Sequence, residues 1–300
     1  MLVSITVPAQ YLWDYGVAMG VSNYLGDIGG TNSPRKNFIS DMKLAETRWN
    51  PSVFVRYKYN RRIFIKAQFA YLRIQGADSL TNYAPRHYRN LSFRNDIFEL
   101  SVTPQIILYD NPDLGYSYRN KLAFHLYAFG GIGIMHHNPR AYYDGEWVSL
   151  QPYETEGVKY HLWQPVIPVG AGFFFTYKKK HRIGFEFNWR ITFTDYLDDI
   201  HNKYVQQSNP VAADLSNRTN TAAANAYQGG FANNYGVTTN TDGTPHQNLR
   251  GNPKDKDTYL TMNLSYSYVI RGHGSFYRSR YGSFFFKKNR KRARKVRAKF

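Results

Sequence analysis

Hydrophobic and polar residues alternate strictly along residues 183–193 of the chain. The apolar positions are Ile183, Phe185, Phe187, Trp189, Ile191 and Phe193, and the positions between them are Gly184, Glu186, Asn188, Arg190 and Thr192. A helix would spread these residues around its circumference, whereas a strand sends successive side chains to opposite faces of a sheet. The pattern therefore predicts a β-strand with one apolar and one polar face.

The same period of two recurs in seven further segments, so the sequence predicts eight strands in all. The other segments are residues 15–21, 53–59, 63–71, 98–108, 122–135, 165–177 and 260–270. The alternation weakens at Gly130, Gly131 and Gly133, near the end of the fifth of these strands. Pro104 has no backbone N–H to donate to a sheet, so we expect a bulge or irregularity there in the fourth strand.

The connections between the predicted strands alternate in length. Long connections follow the odd strands, at about residues 25–47, 75–93, 136–163 and 196–257, and shorter ones follow the even strands, at residues 60–62, 110–120 and 178–180. Bacterial outer-membrane barrels combine long extracellular loops with short periplasmic turns. The pattern predicts an all-β fold, an eight-stranded antiparallel transmembrane β-barrel in the bacterial outer membrane with both termini in the periplasm.

Composition supports a barrel and excludes a helical membrane protein, because no segment approaches the roughly 20 apolar residues of a spanning helix. The chain has 26 Tyr and 20 Phe, yet its mean hydropathy is −0.56. This combination suits a barrel in which only alternate residues face lipid. A soluble barrel or sandwich would also alternate, but it has less reason to sort its loop lengths or to carry such aromatic outer faces.

Charge divides the 300-residue chain into regions. Residues 271–300 contain 12 Lys and Arg and no Asp or Glu, whereas residues 1–270 contain 27 basic and 21 acidic residues. Residues 1–10 are apolar and end in small residues, as the last part of a secretory signal does. We therefore expect a signal remnant or a plain N-terminal segment at residues 1–10, a barrel at residues 11–270, and a basic periplasmic tail at residues 271–300.

The tail is the strongest candidate for partner binding. Its basic residues follow the aromatic residues Phe284 to Phe286, and this mixture can bind nucleic acid. An outer-membrane barrel would meet little nucleic acid, so none is expected. An acidic protein surface, phospholipid headgroups or anionic envelope polymers are the expected partners, and a disordered solubilising tail is the alternative. The candidate binding residues are Lys287, Lys288, Arg290, Lys291, Arg292, Arg294, Lys295, Arg297 and Lys299.

The polar face of the strands predicts a set of inward side chains that could in principle supply an acid and a base. The set consists of Arg56, Lys66, Gln68, Glu99, His125, Glu186, Asn188, Arg190 and Asn263. The interior of an eight-stranded barrel is only about wide enough for side chains to fill it. Because an unpaired buried charge is costly, we expect a packed network of ion pairs and no enzymatic activity.

Three features of the predicted loops suggest ligand binding only weakly. His136 and His137 are neighbours on an extended segment and so point apart, which makes them a poor chelate. Asp195, Asp198 and Asp199 with His201 lack the ligand spacing of an EF-hand, and a turn at the barrel rim is favoured. The chain has no cysteine. No metal site and no cofactor site is predicted. Residues 196–257 are rich in Asn, Thr, Ala and Gly, which predicts a mobile surface loop.

Ordered local patterns add a resemblance to a known family. They are GVAMGVSNYLGDIGG at residues 16–30, RWNPSVFVRYKY at 48–59, YAFGGIGIMHHNPRA at 127–141, PVGAGFFF at 168–175 and TDYLDDI at 194–200. In these patterns the chain resembles PorG-like outer-membrane proteins of the type IX secretion system of Bacteroidetes. NYLGD, HNPRA and DYLDD are the most specific of these patterns.

The resemblance implies a noncatalytic component that assembles or anchors a secretion apparatus. Its implied partners are periplasmic ring proteins like PorK and PorN, outer-membrane lipid and other translocon subunits of the outer membrane. Two other function classes stay open. One is a generic barrel for adhesion or envelope stability, and the other is a lipid-modifying enzyme or protease, which would depend on Glu99, His125 or Glu186.

Overall fold

The alternating segments form β-strands in the computed structural model, and residues 122–135 are divided between two of them. The structure describes residues 11–29, 42–60, 62–112, 114, 122–226, 234–240, 242, 244–253 and 256–271. The expected signal remnant at residues 1–10 lies outside the described residues. The basic tail does so too, apart from Arg271, whose backbone ends the last strand.

Short helices and hairpins accompany the long strands. The strands are β1 (Tyr11–Leu25), β2 (Arg48–Lys58), β3 (Ile63–Ala77), β4 (Ser92–Asn111), β5 (Leu122–Gly130), β6 (Ile132–His136), β7 (Pro139–Tyr143), β8 (Glu146–Ser149), β9 (Trp163–Tyr177), β10 (His181–Thr192), β11 (Val237–Thr239), β12 (Pro245–Gln247) and β13 (Thr258–Arg271). The helices are α1 (Ala84–Arg89), α2 (Pro210–Ser216) and α3 (Thr221–Ala226). Among the described residues, no helix has the length and apolar character needed to span a membrane.

The long strands close into a ring. β1 pairs with β13 and β2, β2 with β3, and β3 with β4. β4 pairs with β5 and β6, both pair with β9, and β10 joins β9 to β13. All of these pairings are antiparallel, so the predicted all-β antiparallel fold is confirmed. With β5 and β6 counted as one interrupted strand, the ring formed by the described residues has eight members.

The expected bulge at Pro104 was wrong in position. β4 pairs with β3 in unbroken register across Pro104, and the irregularity lies between Ile107 and Tyr109, on the side that faces β5. The partner strand is interrupted between β5 and β6 opposite Pro104, so the missing N–H falls where the ladder is already broken. Gly131 lies in this interruption, and a Cβ there would be 2.2 Å from the carbonyl oxygen of Val102.

The two faces of the wall differ sharply in polarity. The polar side chains of the strands are mostly buried on the inner face, together with aromatic rings such as Phe64 and Phe174, whereas the exposed large side chains of the outer face are apolar. Met19 and Leu264 are neighbours across β1 and β13 and are 63% and 66% exposed. We call the exposed outward residues the apolar belt: Tyr15, Val17, Met19, Val21, Val53, Ile65, Phe69, Phe98, Leu100, Val102, Ile106, Ile132, Ile134, Ile183, Leu264, Tyr266 and Ile270.

The two ends of the ring are also unlike each other. The turn end carries the short connections, and the loop end carries the long ones. Inside the loop end, Leu197 and Ile200 from the connection after β10 are fully buried in one cluster with Tyr24, Leu72 and Ile97 of the wall. This connection therefore turns back into the mouth of the barrel and fills it.

The prediction of a mobile loop at residues 196–257 was wrong for its described part. This segment contains α2, α3 and the β11–β12 hairpin. Leu215 of α2 packs with Ala141 and Leu150 of the preceding connection, and Tyr204 packs with Ala224 and Tyr235. These few apolar residues bury enough surface to order a segment whose average composition is polar.

Candidate functional site

The interior of the ring is a network of buried ion pairs centred on Glu186 of β10. Its carboxylate accepts a hydrogen bond from Lys66 Nζ at 2.5 Å and another from the Tyr127 hydroxyl at 2.6 Å. Arg56 lies 3.8 Å away through its guanidinium, and Gln105 donates at 3.3 Å. The Lys66, Arg56 and Glu186 side chains are at most 2% exposed.

A second acidic centre lies nearer the turn end. Asp14 accepts from Arg182 at 2.5 Å and from the Ser267 hydroxyl at 3.2 Å, and it lies 3.6 Å from Arg56. Arg56 and Arg182 both face the ring of Phe174, each with its guanidinium carbon 4.9 Å from the ring centroid. Aromatic faces attract cations, so these contacts add to the carboxylates in holding the guanidinium groups inside.

A third pair closes the network toward the loop end. Glu99 of β4 accepts from Arg190 Nε at 2.7 Å and from the Tyr259 hydroxyl at 3.0 Å, and Arg190 also donates to the Thr261 hydroxyl. Glu99 and Arg190 are fully buried. Both carboxylates that could have served as catalytic acid or base are thus engaged by cations and hydroxyl donors.

The remaining predicted inward residues occupy the positions that the period of two assigns to them. Gln68, Asn188 and Asn263 are buried. His125 lies near the turn end, where its Nε2 is 3.3 Å from Asp110 and its ring stacks on Phe174 at 4.6 Å. The structure thus brings Arg56, Lys66 and Glu186 together in one network and pairs Glu99 with Arg190.

The predicted inward set lacked Gln105 and Tyr127, which bind Glu186. Three further members of the interior network lay outside the predicted segments: Asp14, Arg182 and Tyr259. Each lies one residue before a predicted segment, since those segments begin at residues 15, 183 and 260. Continuing each alternation by one position would have placed all three side chains inward. The alternation of polar and apolar residues includes these positions, so the predicted segments began one residue too late.

The loop end contains a second group of buried charges. Arg89 of α1 binds Asp78 with two nitrogens, at 2.7 and 3.0 Å, and donates to the carbonyl oxygen of Asp27. Arg250 donates to Glu156 at 3.2 Å and lies 3.6 Å from Asp199. These two arginines therefore link four connections, namely those that follow β1, β3, β8 and β10.

Four aspartates, Asp27, Asp195, Asp198 and Asp257, form a carboxylate cluster behind these arginines. The Tyr24 hydroxyl donates to Asp257 at 2.7 Å, and the Leu197 amide donates to its other oxygen. Burial, followed by repulsion from neighbouring aspartates, raises the pKa of Asp198 and Asp257 well above the ordinary range. Among the described residues, no group of three or more His, Asp or Glu side chains is arranged to hold a metal ion.

The predicted rim residues Asp195, Asp199 and His201 make specific contacts. Asp195 lies 2.7 Å from Nδ1 of His201, and burial raises the pKa of Asp195 to about 6. Asp199 accepts from the hydroxyls of Thr155 and Tyr160, at 2.5 and 2.7 Å, and burial raises its pKa to about 6 against the opposing effect of Arg250. The turn at the rim is therefore part of the buried cluster.

The two neighbouring histidines occupy different environments. His136 ends β6 and lies against Trp163, with ring centroids 4.9 Å apart. His137 is fully buried and stacked at 6.2 Å on Tyr160, and burial lowers its pKa to about 4. The side chain of His137 therefore belongs to the packed core of the loop end.

We expect the loop end to become more stable as the pH falls from 7 to 5. The raised pKa values of the four buried carboxyls Asp195, Asp198, Asp199 and Asp257 outweigh the lowered pKa of the single imidazole of His137, which acts in the opposite direction below about pH 6.5. A carboxyl group with a folded-state pKa near 6 keeps its proton at pH 5, whereas the unfolded group, with a pKa of about 3.9, has lost it. Protonation then favours the folded loops by up to about tenfold per pH unit for each titrating carboxyl. Hydrogen exchange of the Leu197 and Ile200 amides, corrected for intrinsic rates, measures this change.

Asp257→Asn provides the matched variant for this experiment. The amide oxygen still accepts from the Leu197 backbone, but the side chain no longer titrates. The pH dependence of exchange should be shallower in the variant. If the variant and the natural protein gave the same pH profile between 5 and 7, the carboxylate cluster would not control the stability of the loop end.

The nine tail residues predicted to bind a partner lie outside the described residues, so their role stays a prediction. A family model described as a domain of unknown function, DUF6089, matches residues 1–217 of the chain. The sequence matches no curated protein.

The chain is also similar to solved structures, at low identity. The N-terminal β-barrel domain of Pseudomonas aeruginosa OprF is 6% identical, with 87% of this chain and 98% of that chain covered and a TM-score of 0.35. Ail of Yersinia pestis, bound to the heparin analogue sucrose octasulfate, is 10% identical, with 86% and 99% covered and a TM-score of 0.36. Neisserial surface protein A is 5% identical, with 87% and 98% covered and a TM-score of 0.35.

Proposed function

Because the chain belongs to the DUF6089 family, a domain of unknown function, we propose its role from its own geometry: a noncatalytic barrel of the bacterial outer membrane that anchors part of a secretion apparatus. The observation that carries this proposal is the interior filled with ion-paired side chains. A barrel with such an interior works through its outer wall, its loops and its termini.

The apolar belt supports a location in the membrane. Proteins in water rarely expose contiguous apolar patches of more than a few hundred Å². Here the exposed apolar side chains recur on every other residue of neighbouring strands, as on Val17, Met19 and Val21 of β1 beside Leu264 and Tyr266 of β13. A wall that faces hydrocarbon requires this arrangement.

Aromatic side chains border the belt at both of its ends. The ring centroids of Trp13 and Tyr57 are 4.8 Å apart at the turn end. Those of Trp49 and Tyr71 are 5.6 Å apart at the loop end. Trp49 is opposite Val21 of β1, eight residues beyond Trp13, which is about 26 Å along a strand. A strand tilt of about 40° reduces this to roughly 20 Å, close to the band height of about 25 Å in outer-membrane barrels.

The interior network argues against catalysis inside the ring. A general acid or base must come within hydrogen-bond distance of its substrate. Glu186 is surrounded by Lys66, Arg56, Tyr127 and Gln105, and Glu99 by Arg190 and Tyr259. A substrate would have to displace these partners and would leave the cations unpaired, which is costly in a buried site.

The finer proposal is a PorG-like role in type IX secretion, with periplasmic ring proteins as partners. The sequence segments that resemble that family and the charge of the tail support it. β1 begins and β13 ends at the turn end, where Tyr11 pairs with Arg271. If the turn end faces the periplasm, the last strand ends on the side where such a ring would lie, and the 12 basic residues of 271–300 belong to the sequence that begins there.

We expect deletion of residues 284–300 to leave the barrel folded and to weaken its association with a periplasmic ring component. A cationic segment raises the encounter rate and affinity for an acidic surface, and salt screens this attraction over about 10 Å at 0.1 M. Copurification from mildly solubilised envelopes, at low and high salt, measures the association. Heat-modifiable gel mobility reports whether the barrel is folded.

A length-matched variant separates charge from chain length. In it the nine residues Lys287, Lys288, Arg290, Lys291, Arg292, Arg294, Lys295, Arg297 and Lys299 are replaced by Gln. The variant should lose the partner as the deletion does. Unchanged recovery of the partner by both variants would reject the docking role of the tail. Absence of any ring component from the natural protein would favour the generic barrel for adhesion or envelope stability.

A further inference from the structure

A cleft of about 640 Å³ lies at the loop end between α1 and the connection from β10 to β13. Pro85, Arg86 and Arg89 line one side, and Lys203, Tyr235 and His246 line the other. The Tyr235 hydroxyl donates to the carbonyl oxygen of Pro85 at 2.7 Å and ties the two sides together. Volumes of about 300 to 1,000 Å³ are typical of small-molecule sites.

The lining of the cleft is cationic and contains no acidic residue. Arg86, Arg89, Lys203 and Arg250 all line it, and so does His246. Arg89 and Arg250 are neutralised from behind by Asp78 and by Glu156 with Asp199. Within the described residues, Arg86 and Lys203 form no ion pair with a carboxylate, so the cleft has an excess of positive charge.

The side chains of Arg86 and Lys203 differ in how firmly they are held. Arg86 is buried and donates to the carbonyl oxygen of Gly29 at 2.5 Å, which fixes its guanidinium. Lys203 is exposed, and its backbone is held by the bridge to Leu249. One fixed and one adaptable cation suit an oxyanion, because guanidinium and ammonium groups both bind phosphate by charge-assisted hydrogen bonds.

The rest of the lining suits a sugar. Asn234 and Gln247 are exposed amides that can exchange hydrogen bonds with hydroxyl groups. Pro85, Tyr235 and Leu249 supply apolar surface against which the C–H face of a ring can rest. A free phosphate ion would use only the cations and would leave most of the 640 Å³ unfilled.

We propose that this cleft binds a phosphorylated saccharide, with the phosphate between Arg86 and Lys203 and the sugar against Tyr235 and Leu249. A peptide or a nucleic acid strand would need an extended groove, whereas this site is a single cleft bounded by α1 and the hairpin. The binding does not depend on the secretion role, because it uses only residues of the loop end.

The test is titration calorimetry on the purified full chain in a polyoxyethylene detergent, which carries no sugar. The ligands are glucose 6-phosphate, glucose and inorganic phosphate. We expect glucose 6-phosphate to bind more tightly than either of the others. Lys203→Gln should weaken its binding about tenfold, since a hydrogen bond to a charged group is worth about that factor. Raising the salt concentration should weaken it further.

Lys159→Gln is the matched control, because Lys159 is exposed at the same end of the barrel and lies outside the cleft. Both variants should keep the heat-modifiable mobility of a folded barrel. Equal binding of glucose 6-phosphate by the two variants would overturn the proposal. It would also be overturned if inorganic phosphate bound as tightly as the sugar phosphate, or if none of the three ligands bound.

Discussion

Replacing Glu186 by Gln is expected to destabilise the barrel by about 3 to 5 kcal/mol, the usual loss when one partner of a buried ion pair is removed. The Lys66 ammonium lies 2.5 Å from this carboxylate and Arg56 lies 3.8 Å away. Both cations would stay inside the ring with no compensating charge at this position. Urea unfolding of the refolded protein in detergent micelles, followed by gel mobility, measures the loss.

A double variant separates the unpaired charge from simple loss of packing. In Lys66→Met with Glu186→Gln, the ammonium that loses its partner is also removed, and Arg56 keeps Asp14 at 3.6 Å. Replacement of both members of a buried pair is often nearly neutral. The double variant should therefore recover a large part of the stability lost in Glu186→Gln. A loss below about 1 kcal/mol in the single variant would contradict an interior held by ion pairs.

The period of two was sufficient to place the interior network. In a strand it assigns every second residue to the same face, so Glu186, Asn188 and Arg190 had to share one side of β10. Inside a narrow ring, opposite charges must then meet. Asp14 and Arg182 were missed only because the alternation was stopped one residue early. Local pattern therefore predicts which face a residue takes, while strand ends depend on how far the neighbouring strands extend.

The loop end could not be read from the sequence in the same way. Leu197 and Ile200 are buried in one cluster with Tyr24 and Ile97, which are at least 100 positions away along the chain. The ion pair of Arg250 with Glu156 is also distant in sequence. The average composition of a segment carries no information about such contacts. The Asn and Thr content of residues 196–257 therefore predicted a mobile loop. A few apolar and charged residues, each placed by the closed ring, order most of this connection.

Pro104 shows a limit of single-strand reasoning. The absence of a backbone donor was read correctly, but its consequence falls on the partner strand, which is interrupted between β5 and β6. The position of a proline in one strand does not predict which of the two neighbouring strands will be interrupted.

Replacing Leu264 by Arg is expected to cost about 2 to 4 kcal/mol of insertion free energy if the apolar belt faces lipid. Leu264 lies midway along β13, between Met19 of β1 and Phe185 of β10, and is 66% exposed. On a barrel in water, an Arg at such an exposed position would be tolerated. A loss of insertion free energy therefore indicates a wall that faces lipid, and no loss indicates a wall that faces water. Refolding into lipid vesicles, with the folded fraction measured by heat-modifiable mobility, gives the insertion yield.

Leu249→Arg is the closest control that the chain offers. Leu249 is 64% exposed, nearly the same as Leu264, but it lies at the loop end outside the ring of strands. Arg at this position should leave the insertion yield unchanged, and so should Asn188→Ala on the inner face of β10. Phe187→Arg, which adds a cation to the outer face of the same strand, should lower the yield as Leu264→Arg does. Equal yields for Leu264→Arg, Phe187→Arg and Leu249→Arg would show that the belt does not contact hydrocarbon, and the outer-membrane role would have to be abandoned.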